Sequence, residues 1–190
     1  MPTQRLTDLA AIEAALWREL ETCVRHKKHG WRIGVLATRD GEAADARSVV
    51  LREASRERRE LLFFADSRSP KVRQAQAHGG AGKLVLWSNE LSWQLRLDVQ
   101  LEVATAGLAV SSRWARLKMK PGAQDYLSPL PPGTPLTPDA PAASPLPERG
   151  TREHFAVVTA RVLTVDWLEL HAEGHRRAAF DVGGARWLVP

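Results

Sequence analysis

The stretch WQLRLDVQLEV, residues 93–103, alternates strictly between apolar and polar side chains. Because successive side chains of a β-strand point to opposite faces, this alternation predicts a long antiparallel strand with one buried face, over residues 91–105. The apolar run just before it, residues 83–87, predicts a neighbouring strand. The middle of the chain is therefore predicted to be a sheet that covers a core.

Further strands are predicted on both sides of this pair. Apolar runs at residues 31–38 and 46–51 are separated by Arg39-Asp40-Gly41-Glu42, and Asp-Gly is a strong hairpin signal. The other predicted strands span residues 61–65, 154–165, 167–171, 175–181 and 186–189. Six or more antiparallel strands without β-α-β alternation predict a mainly β barrel or sandwich. Closing the sheet is the more economical way to remove exposed edges.

Helices flank the predicted strands. Thr7 is expected to cap an amphipathic helix that ends at Gly30. Ser69-Pro70 is expected to begin a short helix that extends to about Ala77, and residues 111–118 are expected to form a third helix. Residues 121–150 contain most of the chain's 12 prolines and are predicted to be a long loop without regular structure. Since nothing marks a second domain, residues 1–190 are predicted to form a single domain with its N-terminal helix in residues 1–30.

The composition restricts the class of protein. The chain has 190 residues, of which 44% are hydrophobic and 26% charged, as in one globular domain. No apolar run approaches the roughly 18 residues of a membrane span, and the N-terminus does not have the pattern of a signal peptide, so a cytoplasmic protein is expected. Cys23 is the only cysteine, which excludes an intrachain disulfide and a zinc site of paired thiolates. We interpret Cys23 as a buried small hydrophobe and predict no metal site.

The net charge of +5 permits a nucleic acid, a membrane surface or a phosphorylated small molecule as partner. The basic residues are spread along the whole chain, and the densest cluster, residues 52–59, is interrupted by Glu53 and Glu57. This distribution favours a small molecule and argues against nucleic acid and membrane partners.

Basic and polar side chains occur at the ends of three predicted strands. The segments are Arg47-Ser48-Val49-Val50-Leu51-Arg52, Phe63-Phe64-Ala65-Asp66-Ser67-Arg68-Ser69-Pro70-Lys71 and Trp93-Gln94-Leu95-Arg96. The second contains a predicted helix start, where free backbone N–H groups beside Arg68 and Lys71 favour phosphate binding. Each segment alone is also explained by solvated basic residues and a capped surface helix.

Taken together, the three segments resemble motifs of the pyridoxamine-phosphate-oxidase-like, FMN-binding split-barrel family, over roughly residues 31–190. The first resembles the family's Arg-x-Val-Leu-Leu-Lys strand, with Arg52 in place of the lysine. The second resembles the Phe-x-Thr-x-x-x-Ser-Arg-Lys segment, and the third the Gln-Val-Arg strand. The chain end, Trp187-Leu188-Val189-Pro190, resembles the family's Arg-Leu-x-Pro.

The resemblance implies a six-stranded antiparallel split β-barrel that binds FMN at the interface of a homodimer. It implies that Gln94 reaches the flavin from the partner subunit and that Phe64 and Ala65 line the ring. It also implies that the phosphate is held by basic and hydroxyl groups, namely Arg47, Arg52, Ser69 and Lys71. The implied cofactor-binding residues are Arg47, Ser48, Val49, Val50, Arg52, Phe64, Ala65, Arg68, Ser69, Lys71 and Gln94. An FMN phosphate is a dianion, so arginine, lysine and a helix N-terminus are the groups that it requires.

The sequence departs from the family pattern mainly at the substrate motifs. Pro70 occupies the family's phosphate-binding arginine position, with Arg68 as the nearby replacement. The Tyr-x-x-x-Arg-Pro-x-x-Ser motif for the substrate phosphate survives as Lys120-Pro121, with Arg116 in place of tyrosine. In the C-terminal Arg-x-His-x-Arg segment, Arg177 replaces the histidine and Ala179 the second arginine. Arg177 and Lys120 are therefore the expected substrate contacts, and no catalytic residue is assigned.

The sequence predicts an FMN-dependent oxidoreductase of this type that acts on an unidentified small molecule. The alternatives are a non-catalytic flavin-binding protein of the same fold and, in another class, a basic barrel that binds nucleic acid. Similar split barrels accept a deazaflavin or haem, so these cofactors remain alternatives to FMN.

Overall fold

The computed structural model describes residues 5–135 and 152–190. In these residues, eight strands form one antiparallel sheet in the order β3-β2-β1-β4-β5-β6-β7-β8, and β3 also pairs with β6. The strands are β1 (Ile33–Asp40), β2 (Ala43–Ser55), β3 (Glu60–Asp66), β4 (Ala81–Ser88), β5 (Trp93–Ala104), β6 (Phe155–Glu169), β7 (Arg176–Asp181) and β8 (Gly184–Leu188). The pairing of β3 with β6 closes six strands into a barrel, from which β7 and β8 extend. The predicted mainly β split barrel with flanking helices is confirmed.

The alternation in β5 produces the core of the barrel. Leu95, Leu97, Val99 and Leu101 are buried, while the polar residues between them lie on the outer face. One end of the core is covered by α1 (Leu9–Cys23), whose buried residues join the same cluster. None of the helices in the described parts of the chain is long and apolar enough to cross a membrane.

The first helix differs from the prediction at both ends. It is capped by Asp8, whose carboxylate accepts a hydrogen bond of 2.7 Å from the Ala11 N–H, and not by Thr7. It ends at Cys23 instead of Gly30, which belongs to a short 3-10 helix, Gly30–Arg32. Trp31 is completely buried, so the chain leaves the helix early and turns toward the core. Cys23 is buried as predicted, and burial raises its thiol pKa to about 12.

Two other predicted boundaries were wrong. The strands predicted at residues 154–165 and 167–171 are one strand, β6, because Asp166 lies on the outer face, bound by Arg177 of β7, and does not interrupt the pairing. Residues Pro121–Tyr126, predicted to lack regular structure, form a 3-10 helix. Residues 136–150 of the predicted loop lie outside the described residues. The short helix at Ser69-Pro70 is confirmed as α2 (Pro70–Ala77).

A second apolar cluster lies outside the barrel. It is formed where α3 (Leu108–Leu117) and the 3-10 helix Pro121–Tyr126 cover β3 and β6. Phe155 lies at its centre, with ring centroids 5.0 Å from Phe64, 5.2 Å from Trp114 and 5.3 Å from Tyr126. This packing fixes α3 beside the exposed side of β2 and β3.

An ion-pair network connects the start of the chain to β6 and β7. Glu169, which is buried, accepts hydrogen bonds of 2.7 Å from Arg5 Nε and 2.8 Å from Arg176 Nε. Burial raises the pKa of Glu169, but hydrogen bonds from Arg176 and Arg5 lower it by more, so the net direction is downward. The carboxylate therefore stabilises the fold at neutral pH.

We expect Glu169→Gln to lower the free energy of unfolding by about 1.5–3 kcal/mol at neutral pH, the usual range for hydrogen bonds to a charged group. In the unfolded chain a glutamate carboxyl has a pKa of about 4.3, and in the folded protein the pKa of Glu169 is lower. The ionised carboxylate therefore contributes its full stabilisation at pH values above about 4.3. This contribution is lost as the pH falls through the lower pKa of the folded state. Urea unfolding at pH 7 and below about pH 4 should therefore show a difference between wild type and variant that shrinks in acid. A difference that stays constant would contradict this assignment.

Candidate functional site

The start of α2 contains a buried hydroxyl group without a hydrogen-bond partner among the described residues. Ser69, the N-cap residue, is completely buried, yet within residues 5–135 and 152–190 its Oγ has no hydrogen-bond partner. Pro70 follows at the first helical position, where a missing N–H costs nothing. The first turn of a helix also leaves backbone N–H groups without acceptors. A buried hydroxyl beside these groups suits an anion.

Arg47 lies on β2 close to this helix start. Its Nη2 donates a 2.8 Å hydrogen bond to Gln74 Oε1 of α2, and its guanidinium forms an ion pair with Asp45. Gln74 also accepts a 2.6 Å hydrogen bond from the Thr38 hydroxyl and donates one of 2.9 Å to Asp45. This network holds α2 against β1 and β2 and fixes the position of Arg47.

Lys71 lies in the first turn of α2 and is partly buried. Burial, and then the neighbouring charge of Arg47, lower the pKa of its ammonium group; the opposing influence of Asp66 and Asp45 is smaller. The structure therefore places Lys71, two residues after Ser69, within the electrostatic influence of Arg47 of β2. It places two cations near one another, a setting that a bound anion would make favourable.

Arg52 lies at an irregularity in β2 that the sequence did not reveal. The register with β3 shifts between Leu51 and Glu53, so Arg52 is the extra residue of a β-bulge. Its guanidinium lies 5.6 Å from the centre of the Phe64 ring. Its Nε is buried without a hydrogen-bond partner among the described residues. The bulge thus directs a second unsatisfied donor to the surface of β3.

The other residues predicted to contact the cofactor differ in which of their groups a ligand could reach. Ser48 is exposed and Val50 half-buried on the outer face of β2, whereas Val49 and Ala65 point into the core and can present only their backbone to a ligand. The Arg68 guanidinium donates to Asp66 at 2.7 Å and to the carbonyl of Ser128 at 2.8 Å. Arg68 therefore holds the segment after Tyr126 against the barrel.

Gln94 and Arg177 lie on a different surface of the chain. Gln94 pairs with Trp87 of β4 and Leu168 of β6, three positions from β2 in the sheet order. Arg177 forms two hydrogen bonds with Asp166, of 2.9 and 2.6 Å. Within one chain neither residue is brought to the cluster of Arg47, Ser69 and Lys71.

Lys120, the other predicted substrate contact, lines a cleft of about 530 Å³ between α3, the β-bulge and the end of α1. Arg52 and Phe64 line the same cleft, so the structure brings Lys120 close to two of the predicted cofactor-binding residues. Three other cations line the cleft and had no function predicted from the sequence: Arg32, Arg113 and Arg116. The three-residue spacing of Arg113 and Arg116 on α3 could have revealed these two, whereas only the fold places Arg32 here.

The described residues fit a flavin mononucleotide. The helix start, the unpartnered Ser69 hydroxyl and the charges of Lys71 and Arg47 suit a phosphate dianion. Phe64 and the Arg52 Nε provide an apolar surface with a polar donor beside it, as a flat ring with polar edges requires. Arg47 and Arg52 lie five residues apart, roughly 16 Å along the strand, so the two regions suit opposite ends of one extended ligand. Arg52, predicted from the sequence as a phosphate contact, lies beside Phe64 and not with Ser69 and Lys71.

Comparison with protein families gives a match for residues 14–105, to the family described as pyridoxamine 5'-phosphate oxidase, FMN-binding domain. The matched segment runs from α1 to the end of β5 and includes all of the predicted cofactor-binding residues. The resemblance inferred from the motifs is confirmed. A comparison with curated protein sequences gave no match.

Solved structures share the fold at low sequence identity. A pyridoxamine 5'-phosphate oxidase-related, FMN-binding protein from Nostoc punctiforme is 20% identical, covers 97% of this chain and 100% of its own, and has a TM-score of 0.72. PhzG from Burkholderia lata, solved with tetrahydrophenazine-1-carboxylic acid, is 15% identical with complete coverage of both chains and a TM-score of 0.72. General stress protein 26 from Bacillus anthracis is 13% identical over 80% of this chain and 92% of its own, with a TM-score of 0.51.

Proposed function

We propose that this chain, whose residues 14–105 match the family of pyridoxamine 5'-phosphate oxidase, FMN-binding domain, binds FMN and acts as an oxidoreductase on a small molecule. The observation that carries the proposal is the completely buried Ser69 hydroxyl, without a partner among the described residues, beside Lys71 and Arg47 at the start of α2. A buried polar group without a hydrogen bond costs about 1–3 kcal/mol, and a bound phosphate oxygen would remove this cost.

Each part of the site has a distinct function in this proposal. Ser69, Lys71 and Arg47 bind the phosphate, while Phe64, the Ala65 backbone and Arg52 hold the ring. Bound FMN supplies the capacity to accept and release a hydride. The protein contributes orientation, and α3 with its underlying cluster shields one side of the site from water.

We propose that the functional unit is a homodimer. The outer face of β1 and β4 exposes apolar side chains, with Ile33 55%, Val35 44% and Trp87 41% exposed, and contiguous apolar patches typically mark an interaction surface. Gln94 lies beside Trp87 on this face. Pairing two copies through this face would bury the patch and carry Gln94 of each copy toward the flavin site of the other, as the family resemblance implies.

The experiment that tests the function starts with the visible absorption spectrum of the purified protein and mass spectrometry of any small molecule released on denaturation. Flavin bands with FMN in the released fraction are the expected result. A colourless protein that also fails to bind added FMN would contradict the proposal. Release of a deazaflavin or haem would assign the site to that cofactor.

A non-catalytic flavin-binding function is the second candidate, favoured by the engagement of Arg177 with Asp166 instead of a ligand. Anaerobic mixing of the FMN-loaded protein with reduced nicotinamide cofactors, followed by re-oxidation, separates the two functions. Repeated reduction and re-oxidation supports the oxidoreductase. A flavin that remains oxidised with all donors supports the binding protein.

The lowered pKa of Lys71 predicts a pH dependence of FMN binding. A bound phosphate dianion raises this pKa, so binding is coupled to proton uptake, and the affinity should fall as the pH rises through the pKa of the free protein. The range to test is above the second phosphate pKa of about 6 and up to about pH 10. Because arginine stays charged throughout this range, Lys71→Arg should show a flatter profile. Parallel profiles for the two proteins would contradict the involvement of Lys71.

A further inference from the structure

The guanidinium of Arg47 is held by several acceptors of the chain itself. Arginine donates hydrogen bonds through Nε and through both Nη atoms. Nη1 of Arg47 donates to the Thr38 hydroxyl at 2.5 Å and to the Leu36 carbonyl at 3.4 Å. Nη2 donates to Gln74 Oε1 at 2.8 Å and forms the ion pair with Asp45. Both Nη atoms are therefore occupied, and a phosphate that binds to either of them must replace one of these partners.

Asp45 is the partner that a ligand can replace. Thr38 and Gln74 are only 4% and 6% exposed, and the Leu36 carbonyl belongs to the backbone of β1. The Asp45 side chain, in contrast, is 42% exposed. It lies two residues before Arg47 on β2, so the two side chains are on the same face of the strand. An anion that approaches Arg47 from solvent therefore meets the Asp45 carboxylate beside it.

Asp45 carries a negative charge next to the proposed phosphate site. A hydrogen bond of 2.9 Å from Gln74 Nε2 and the contact with Arg47 outweigh the effect of burial and lower the pKa of this carboxyl, so it is ionised at neutral pH. The same charge acts on Lys71 and opposes the larger effects of burial and of Arg47 on the pKa of that ammonium group. A phosphate dianion bound by Arg47 and Lys71 is therefore close enough to Asp45 to be repelled by it.

We propose that Asp45 competes with the phosphate of FMN for Arg47 and thereby limits the affinity of the site for phosphorylated flavin. On binding, Arg47 turns an Nη2 N–H from Asp45 to a phosphate oxygen, while Thr38 and Gln74 keep the guanidinium in place. Asp45 is thus a residue that determines affinity and ligand selectivity without contacting the ligand. This inference rests on the proposed function, since it requires the phosphate to bind at the start of α2.

The opposite function for Asp45 is to position Arg47 for the ligand. The two functions predict changes of opposite sign, because removal of a positioning group weakens FMN binding and removal of a competitor tightens it. Competition is favoured by the two buried side chains, Thr38 and Gln74, which already fix the guanidinium by hydrogen bonds of 2.5 and 2.8 Å. Asp45 is not needed for that purpose.

Asp45→Asn tests the inference, with FMN and riboflavin as matched ligands. The two flavins share the ring and the ribityl chain, but riboflavin lacks the phosphate. We expect the variant to bind FMN about three- to tenfold more tightly than wild type, the size of effect that one exposed charge has on its neighbours. Its affinity for riboflavin should be unchanged. Quenching of flavin fluorescence gives both dissociation constants, and weaker FMN binding, or equal changes for both ligands, would overturn the proposal.

Two further variants separate competition from a general effect of charge. Asp40→Asn makes the same change in net charge at the exposed end of β1, and its FMN affinity should stay within about twofold of wild type. In an Arg47→Gln background, Asp45→Asn should lose most of its effect, because the side chain that it releases is absent. A gain of the same size in Asp40→Asn, or an undiminished gain in the Arg47→Gln background, would contradict the assignment. Thermal unfolding of each variant verifies that the fold is retained.

The wild-type titrations distinguish this inference from the proposed function. A wild-type protein that binds neither flavin contradicts the proposed function, and the inference with it. A wild-type protein that binds FMN, with the same preference for FMN over riboflavin in Asp45→Asn, overturns the inference alone and leaves the proposed function intact.

Discussion

Lys71→Gln is expected to weaken FMN binding by about ten- to a hundredfold. The variant removes a charge-assisted contact with the phosphate, and hydrogen bonds to charged groups contribute about 1.5–3 kcal/mol, with 1.4 kcal/mol for each tenfold in affinity. Lys71 is partly buried beside Arg47, so water screens its charge less than that of a surface lysine. Quenching of flavin fluorescence on titration with the protein gives the dissociation constant directly.

Lys27→Gln is the matched control for this variant. Lys27 is exposed in the loop after α1, so the substitution makes the same change in net charge outside the phosphate site. We expect its affinity for FMN to remain within about twofold of wild type at moderate ionic strength. Equal losses of FMN affinity in both variants would mean that FMN binding depends only on the net charge of the protein. An unchanged affinity in Lys71→Gln would show that Lys71 does not contact the phosphate.

Trp87→Lys is expected to convert the protein from a dimer to a monomer and to abolish FMN binding with it. In a two-fold interface each substitution occurs twice, so two ammonium groups would enter the centre of the apolar patch with Ile33 and Val35. Like charges placed together at an interface cost several kcal/mol. Light scattering should change from about twice the chain mass of 21.0 kDa to the chain mass itself.

Leu108→Lys provides the control for the interface. Leu108 is 85% exposed at the start of α3, so the same chemical change there should leave both the mass and FMN binding unaltered. Monomeric wild-type protein would contradict the proposed dimer. A Trp87→Lys monomer that binds FMN as tightly as wild type would show that Gln94 of a partner is not needed.

The local signals in the sequence were sufficient for the barrel. The alternation in residues 93–103 is a property of neighbouring positions, and it placed Leu95, Leu97 and Val99 inside before any pairing was known. The Asp40-Gly41 turn and the Ser69-Pro70 helix start are also local, because backbone geometry at these residues restricts the chain. Arg47, Ser69 and Lys71 could be predicted to meet because β2, β3 and α2 follow one another closely in the chain.

Features that depend on packing between distant segments of the chain could not be predicted from the sequence in this way. The first helix was predicted to end at Gly30, the first glycine after its apolar positions, whereas it ends at Cys23 and the chain then turns to bury Trp31 in the core. The β-bulge at Arg52 depends on the register against β3, which no single segment records. Arg68 has the composition of a phosphate ligand, but Asp66 and the carbonyl of Ser128 engage it.

The strand pattern, the family resemblance and the residue types of the proposed phosphate site could be predicted from the sequence, because periodicity, turn chemistry and short motifs are carried by adjacent residues. That Arg32, Arg52 and Arg116 line one cleft depends on the tertiary structure. They lie in the 3-10 helix Gly30–Arg32, in β2 and in α3, respectively. Residues that far apart in the chain meet only when the barrel closes and α3 packs against it. The physical reason is that side-chain proximity between distant segments is set by the packing of whole elements, which the local pattern of any one segment does not contain.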